Sequence, residues 1–195
     1  MLELVGLCTD PEAARAAAVA TAGTLDVNHP GESPERPYSA MIRAVTDNVE
    51  ALADVADFGL YSCFARVIKA EPDPLPSDRS VAAFAMIGHP DLSHREADDH
   101  WRDVHAPLAL ENHRAMCDYT QLSVVATISG QPLDGIALCA FATREDLSKK
   151  FFNDDEARAT IGADVARFAD LGSSIRRVVL VRATDGGTSS GDGTD

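Results

Sequence analysis

The side chains best suited to chemistry are concentrated in residues 93–119. That stretch holds four of the six histidines, the only tryptophan and a tyrosine. An imidazole titrates near neutral pH, so it can give or take the proton that enolisation, double-bond migration or elimination of water requires. We predict His105 as general acid or base, and Tyr119 as a phenol that polarises a substrate carbonyl or orients His105. The structural alternatives are a histidine that caps a helix end and a core tyrosine with a satisfied hydroxyl.

Other side chains are candidates for supporting roles. The predicted substrate contacts are Trp101, His100, Phe84 and Met86. Trp101 is expected to be a pocket wall or core anchor, not a chemical participant. Asp103 and Asp118 are candidates to orient a histidine by accepting its second N–H, with simple surface solvation as the alternative.

The spacing of the histidines argues against a bound metal. His100 and His105 would lie about 140° apart on an α-helix, so the two rings should not converge on one point. A zinc site favours ligands at positions i and i+4 or in a hairpin. The sequence also lacks a GxGxxG motif after a strand, a P-loop and a GxSxG motif. We therefore predict no metal and no bound cofactor.

A helix must position these residues. Ser93 can cap its N-terminus, and Glu96 completes a capping box three residues later. Pro107 limits the far end, because it lacks an N–H and biases Ala106 away from the helical conformation. His105 is therefore expected near a helix terminus, where its side chain can face a cleft.

The second half of the chain predicts the element order βαββαβ. Its expected strands and helices, in order, are 81–88 (strand), 93–113 (helix), 116–128 and 135–143 (strands), 144–170 (two helices) and 175–183 (strand). This order predicts an α+β fold class, a ferredoxin-like unit with four antiparallel strands and both helices on one face. The other face must also be buried, and a second sheet, from the first half or from another subunit, is the economical cover.

The first half predicts a reduced version of the same unit. Its expected elements are a strand at 2–8, helices at 12–22 and 38–57, a short strand at 25–27 and a strand at 61–70. The helix at 38–57 is predicted because apolar residues recur there at spacings of three and four.

Composition suggests where the domains divide. Three alternating prolines and several acidic residues mark 71–79 as a linker. It separates an N-terminal half, 1–70, from a second domain, 80–184. Glycine, serine, threonine and aspartate dominate 185–195, which we expect to be a disordered tail.

Charge and cysteine usage exclude several classes of partner. The formal net charge of −14 argues against nucleic acid and against an anionic membrane as partners. The pairs Arg176–Arg177 and Lys149–Lys150 are expected to be solvated faces. The four cysteines have no CxxC spacing, so reduced, buried thiols are expected. With no signal peptide or membrane span evident, the sequence predicts a cytoplasmic protein.

The histidine-rich stretch also resembles a known family. The segment His100-Trp101-Arg102-Asp103-Val104-His105-Ala106-Pro107-Leu108, with Tyr119 at the start of the next strand, is similar to the signature of the EthD family in the dimeric α/β-barrel superfamily. The resemblance covers residues 80–183. It implies a ferredoxin-like unit whose sheet pairs with another, in a homodimer or an internal pseudo-dimer, to enclose a pocket between sheet and helices. His100 stands where the family usually has Tyr or Phe, which alters the hydrogen bonding of the pocket.

The resemblance leaves three functions open, since the superfamily includes cofactor-free isomerases, polyketide cyclases, dehydratases and monooxygenases. The first is an isomerase or lyase that moves protons on a small apolar carbonyl or aromatic compound. The second is a cofactor-free oxidoreductase, or an accessory to an oxygenase system in degradation. The third is a non-catalytic ligand-binding or structural module.

Overall fold

The computed structural model describes residues 1–33, 35–71, 79–175 and 177–183. Residues 72–78 of the predicted linker and all of the predicted tail lie outside this part of the chain. In chain order the elements are β1 (Leu2–Cys8), α1 (Pro11–Ala20), β2 (Thr24–Asn28), β3 (Ala40–Ala44), α2 (Glu50–Ala53), β4 (Gly59–Lys69), β5 (Ser80–Met86), α3 (His94–His100), a π-helical turn (Trp101–His105), α4 (Ala106–Asn112), β6 (Met116–Gly130), β7 (Gly135–Phe141), α5 (Arg144–Lys149), α6 (Asp155–Phe168) and β8 (Val178–Arg182).

The strands close into one antiparallel barrel in the order β1-β3-β2-β8-β5-β7-β6-β4. The first four strands meet the last four at two seams. At one seam, nearly the whole length of β4 pairs with β6. At the other, β2 pairs with β8 through only residues 26–28 and 180–182. Each half of the chain thus completes the sheet of the other half.

The predicted ferredoxin-like α+β fold class is wrong. That prediction treated each half as an open sheet with a second layer against its free face. In the structure the sheet edges pair with each other, so a closed eight-stranded barrel replaces two stacked layers. The hydrogen bonds that close it come from backbone groups that every strand carries, so the side-chain pattern does not reveal which edges meet.

The barrel interior is a packed core. Successive side chains of a strand point to opposite faces of the sheet. One set forms a buried apolar cluster to which every strand except β2 contributes. In β2, the buried Asp26 accepts a hydrogen bond from Arg182 at 2.8 Å. Eight strands enclose a space just wide enough for side chains to fill.

The helices cover the outside of the barrel. α1 and α2 lie against the first half in a second apolar cluster. The helices of the second half lie against β5 to β8 in a third cluster. None of the helices in the described ranges is both long enough and apolar enough to cross a membrane.

The predicted helix at 38–57 is also wrong. Its residues form β3 and the four-residue helix α2. β3 lies between β1 and β2, with Met41 in the interior cluster and Ile42 beneath the helices. A strand buried on both faces shows no polar alternation, so its apolar residues merged with those of α2 into an apparent helical period.

Candidate active site

The histidine helix continues past Pro107. α3 begins at the predicted capping box, passes through the π-helical turn and continues as α4. In that turn the N–H of Ala106 donates to the carbonyl of Trp101, five residues earlier. Pro107 accounts for the wider turn, because it has no N–H for the carbonyl of Asp103 and its ring would clash with that carbonyl in a regular α-helix.

The π-helical turn brings His100 and His105 to the same carboxylate. His100 Nε2 lies 2.9 Å from Asp164 Oδ1, and His105 Nδ1 lies 2.9 Å from Asp164 Oδ2. A regular α-helix would separate the two side chains by about 140°, and the wider turn reduces that angle. The expectation that the two rings would not converge is therefore wrong. Among the residues that the structure describes, no three His, Cys, Asp or Glu side chains are arranged to hold a metal ion.

Asp164 is the residue of this site that sequence reasoning missed. It lies in α6 and is only 4% exposed. Ile161 and Phe168, three residues before it and four after, are also buried on that helix. A carboxylate on the apolar face of an amphipathic helix was the available signal, because such a position normally holds a hydrophobic residue. The ring of Phe168 contacts both histidines, with centroid distances of 5.3 Å to His100 and 5.1 Å to His105.

Burial and hydrogen bonding together determine the protonation of His105 and Asp164. Burial lowers the pKa of His105 and outweighs the hydrogen bond and negative charge of Asp164, which raise it. Burial would raise the pKa of Asp164, but the hydrogen bonds from His100 and His105 hold it below its ordinary value. At neutral pH the carboxylate is charged and can only accept, so the neutral His105 donates from Nδ1. Its Nε2 keeps a lone pair and has no hydrogen-bond partner among the described residues.

Tyr119 lies in a separate buried group. It is 1% exposed, and its hydroxyl oxygen accepts hydrogen bonds from Trp101 Nε1 at 3.1 Å and Gln121 Nε2 at 3.0 Å. Gln121 Nε2 also donates to the carbonyl of Trp101 at 2.9 Å. Burial raises the pKa of Tyr119, so it remains a phenol. No hydrogen bond joins Tyr119 to His105. Trp101, which donates to Tyr119, lies in the same π-helical turn as His105.

Trp101 anchors the helix to the barrel. Its ring lies so close to Gly135 that a Cβ there would stand 2.4 Å from Cζ3 of the indole. Met86 and Phe168 share its buried cluster. The guanidinium carbon of Arg66, from β4 at the seam with β6, lies 5.7 Å from the centre of the indole ring. The predicted substrate contact Met86 therefore lies in the same cluster as Trp101 and Phe168, whose ring contacts His105.

Phe84, the remaining predicted substrate contact, lies apart from this group. It packs in the cluster beneath α4, α5 and α6, and its ring centroid is 5.8 Å from that of Phe151. His113 contacts the same Phe151, whose carbonyl lies 2.5 Å from His113 Nδ1. These contacts give His113 a role in packing.

The two predicted orienting carboxylates have other partners. Asp103 accepts hydrogen bonds from Arg102, and Asp118 accepts one from the N–H of Glu71. A surface cavity of about 360 Å³ lies on the first half of the barrel, with Leu4 and Asp47 in its lining, and none of the predicted site residues lines it.

One family of known proteins matches this part of the chain. Residues 89–172 match the EthD domain. The predicted resemblance is thereby confirmed, and the EthD segment contains His100, Trp101, His105, Tyr119 and Asp164. Phe84 and Met86 lie just before it, in β5. No curated protein matches the chain significantly.

Solved structures resemble nearly the whole chain. An anthrone oxidase-like protein has 11% sequence identity and a TM-score of 0.57, over 94% of this chain and 90% of the other. A candidate monooxygenase from Fusobacterium nucleatum has 6% identity and a TM-score of 0.55, over 94% and 92%. A major regulator of staphylococcal pathogenesis has 14% identity and a TM-score of 0.55, over 94% and 100%. At these identities the likeness concerns the fold alone.

Proposed function

We propose that the His105 site transfers protons to and from carbon on a small, mostly apolar carbonyl or aromatic compound, without a bound cofactor. The observation that carries this proposal is the buried pair of His105 and Asp164, which uses Nδ1 of the imidazole and leaves Nε2 without a partner among the described residues. Isomerisation, cyclisation and dehydration all contain such a proton transfer.

The pair is suited to general-base catalysis. Because burial keeps His105 neutral, Nε2 can accept a proton from a C–H bond beside a carbonyl at neutral pH. The imidazolium that forms lies 2.9 Å from the Asp164 carboxylate, whose charge stabilises it. The same imidazolium can return the proton to another atom of the substrate, which completes an isomerisation.

Tyr119 is the proposed donor to the substrate oxygen. Its oxygen already accepts hydrogen bonds from Trp101 and Gln121, and its own proton has no acceptor among the described residues. A phenol with two donors on its oxygen is a stronger hydrogen-bond donor, because the donors stabilise negative charge there. For Tyr119 to act as this donor, one substrate molecule must contact both Tyr119 and His105, with Trp101 between them.

A cofactor-free oxidation is the second candidate, and the names of two structural neighbours favour it. One is called anthrone oxidase-like, and the other is a candidate monooxygenase. Both functions begin with the same step, the removal of a proton from carbon by His105. They differ in the next step: the carbanion is either protonated at another position or transfers electrons to dioxygen.

Deuterium exchange tests the shared step. Anthrone, an aromatic ketone with an acidic methylene group, is the probe, and its deuterium incorporation in D₂O is followed by mass spectrometry while an electrode records oxygen uptake. We expect His105→Gln to reduce protein-dependent exchange by about 100-fold or more, the typical contribution of a general base. His94→Gln is the matched control, because His94 also bonds a carboxylate, at 2.7 Å from Asp134, but is half exposed.

Each outcome has a distinct meaning. Exchange without oxygen uptake supports proton transfer alone, and uptake that needs both protein and anthrone supports oxidation. If His105→Gln folds natively and exchanges anthrone at the wild-type rate, His105 is not the base. A wild-type protein that binds anthrone but exchanges none of its protons favours the ligand-binding module.

A further inference from the structure

Three arginines meet around one carboxylate at the outside of the barrel. Glu32 and Arg36 lie in the connection between β2 and β3, Arg144 begins α5, and Arg177 immediately precedes β8. Glu32 Oε2 lies 2.5 Å from Arg36 Nη2, and Glu32 Oε1 accepts a hydrogen bond from Arg144. Arg36 Nη1 donates to the backbone carbonyl of Arg177 at 3.3 Å. Segments that are far apart in the sequence therefore bring these charges together.

The charges of this cluster do not balance. Guanidinium groups stay protonated in proteins, so Arg36, Arg144 and Arg177 carry three positive charges against one negative charge on Glu32. Partial burial lowers the pKa of Arg177, and the charges of Arg144 and Arg36 lower it further. The chain has 31 acidic residues and a net charge of −14, yet Glu32 is the only carboxylate among the described residues that forms an ion pair with these arginines.

The hydrogen-bond donors of the cluster are also incompletely used. Arg36 Nε is buried and has no acceptor among the residues that the structure describes. The guanidinium of Arg177 makes no hydrogen bond with any residue in the described ranges; only its backbone carbonyl is engaged, by Arg36. A buried donor without an acceptor is costly, so it marks a place where a further acceptor would stabilise the structure.

We propose that Arg36, Arg144 and Arg177 form a binding site for a compact oxyanion that carries two negative charges, a phosphate group or a small dicarboxylate. Two charges would neutralise the excess that Glu32 leaves. Arginine binds both chemistries through pairs of parallel N–H···O bonds, which supply the missing acceptors.

The position of the site gives the anion a structural effect. Arg177 precedes β8, while Glu32 and Arg36 follow β2. These two strands form the shorter seam, in which only three residues of each strand are paired. An anion held between them links the two halves of the barrel at their shorter junction. Because it binds only the folded protein, it raises the unfolding temperature.

Isothermal titration with inorganic phosphate and with malonate, at constant ionic strength, tests the proposal. We expect saturable binding to the wild type and about tenfold weaker binding to Arg177→Gln and Arg144→Gln, since each loses a charge-assisted hydrogen bond. Arg95→Gln is the control, because it makes the same change of charge at a side chain that is 90% exposed. Tighter binding of phosphate identifies a phosphoryl ligand, and tighter binding of malonate identifies a dicarboxylate.

Glu32→Gln separates an anion site from a simple ion-pair network. Without its carboxylate the cluster has three unbalanced charges, so we expect a lower unfolding temperature that added phosphate or malonate restores, with tighter binding than in the wild type. The proposal is overturned if neither anion binds the wild type at millimolar concentration, if Arg177→Gln binds as well as the wild type, or if neither anion restores Glu32→Gln.

Discussion

The outer surfaces of the two halves of the barrel are covered by helices in different ways. In the first half, α1 and α2 cover the strands with small and aliphatic side chains, among them Ala14, Ala18 and Leu52. In the second half, the layer between helices and strands contains buried polar side chains as well. They include His105, His113, Tyr119, Gln121 and Asp164, whereas the buried polar or charged side chains of the first half are Glu3, Thr21 and Asp26.

The difference bears on where the proposed function is located. Burying a polar group costs free energy unless it finds a hydrogen-bond partner. Among the described residues of the second half, three buried polar side-chain atoms lack such a partner: Arg79 Nε, Ser80 Oγ and Gln121 Oε1. Replacing both members of a hydrogen-bonded pair by apolar groups of the same shape can be nearly neutral or stabilising. We infer that the second half retains these groups for function, while the first half completes the barrel.

The largest expected effect tests the apolar layer of the first half. Leu52 is the fully buried side chain of α2, so Leu52→Ala should lower the free energy of unfolding by about 3 kcal/mol through lost burial and a residual cavity. The nuclear magnetic resonance signals of His105 should not change, because the substitution lies in the other half. A loss of stability together with an altered His105 signal would show that the halves are not independent.

A glycine in each half gives a more direct comparison. Gly135→Ala places a Cβ 2.4 Å from the Trp101 ring, whereas Gly6→Ala places one 3.3 Å from the Cβ of Ala56. We expect Gly135→Ala to cost about 2 kcal/mol, because the indole must move and its hydrogen bond to Tyr119 is strained. Gly6→Ala should cost much less. Denaturant unfolding measures both, and the fluorescence of the only tryptophan should shift in Gly135→Ala alone. Equal costs would contradict the anchoring role of Trp101.

Some of this arrangement could be read from the sequence, because its determinants are local. The capping box of Ser93 and Glu96 depends on two residues three apart, and the structure contains it. The strands of the second half follow from apolar runs bounded by glycine and proline. The closure of the barrel depends on backbone edges far apart in the chain, and the side-chain pattern does not encode it. The strand at 40–44 was missed because burial on both faces removes the alternation that identifies a strand.

Only part of the candidate site could be predicted from the sequence. His105 and Tyr119, whose roles stay predictions, were predicted from residue type and from the EthD motif. Asp164 was not, because it lies 59 residues from His105 in the sequence and only the packing of α6 brings the two together. The convergence of His100 on the same carboxylate depends on the π-helical turn. An argument from the regular α-helical period fails there, since it assumes 3.6 residues per turn throughout.

Asp164→Asn should have a smaller effect on stability and a specific effect on His105. The variant retains the shape of the side chain but loses the charge, so we expect a loss of about 1.5 kcal/mol, as for a charge-assisted hydrogen bond. Asp164 raises the pKa of His105, so that pKa should fall further below its ordinary value. A titration followed by nuclear magnetic resonance measures it.

A carboxylate of the first half provides the control for that experiment. Asp57 accepts a hydrogen bond from the N–H of Thr9 at 2.7 Å, so Asp57→Asn also removes a charged acceptor. It should affect stability without moving the titration of His105. If Asp164→Asn likewise leaves His105 unchanged, then the carboxylate does not control the protonation of the imidazole, and the proposed base loses its orienting partner.

The smallest effect is a dependence of stability on pH that originates in the second half. Burial lowers the pKa of both His105 and His113. The unfolded chain, whose histidines titrate near pH 6.5, therefore binds protons at a higher pH than the folded protein does. The free energy of unfolding should be constant above that pH and fall below it, by at most about 1.4 kcal/mol per pH unit for each histidine that stays neutral. The first half has only one histidine, His29, and it is not buried.

His105→Gln isolates one of these contributions. The variant should lose the part of the slope that belongs to His105 and keep the part that belongs to His113, with Asp164 acting in the same direction only at lower pH because its pKa is already depressed. Denaturant unfolding between pH 5 and pH 8 measures both slopes. Identical slopes in the variant and the wild type would mean that the folded and unfolded chains protonate His105 alike. Its Nε2 would then be no more available as a base at neutral pH than that of an exposed histidine.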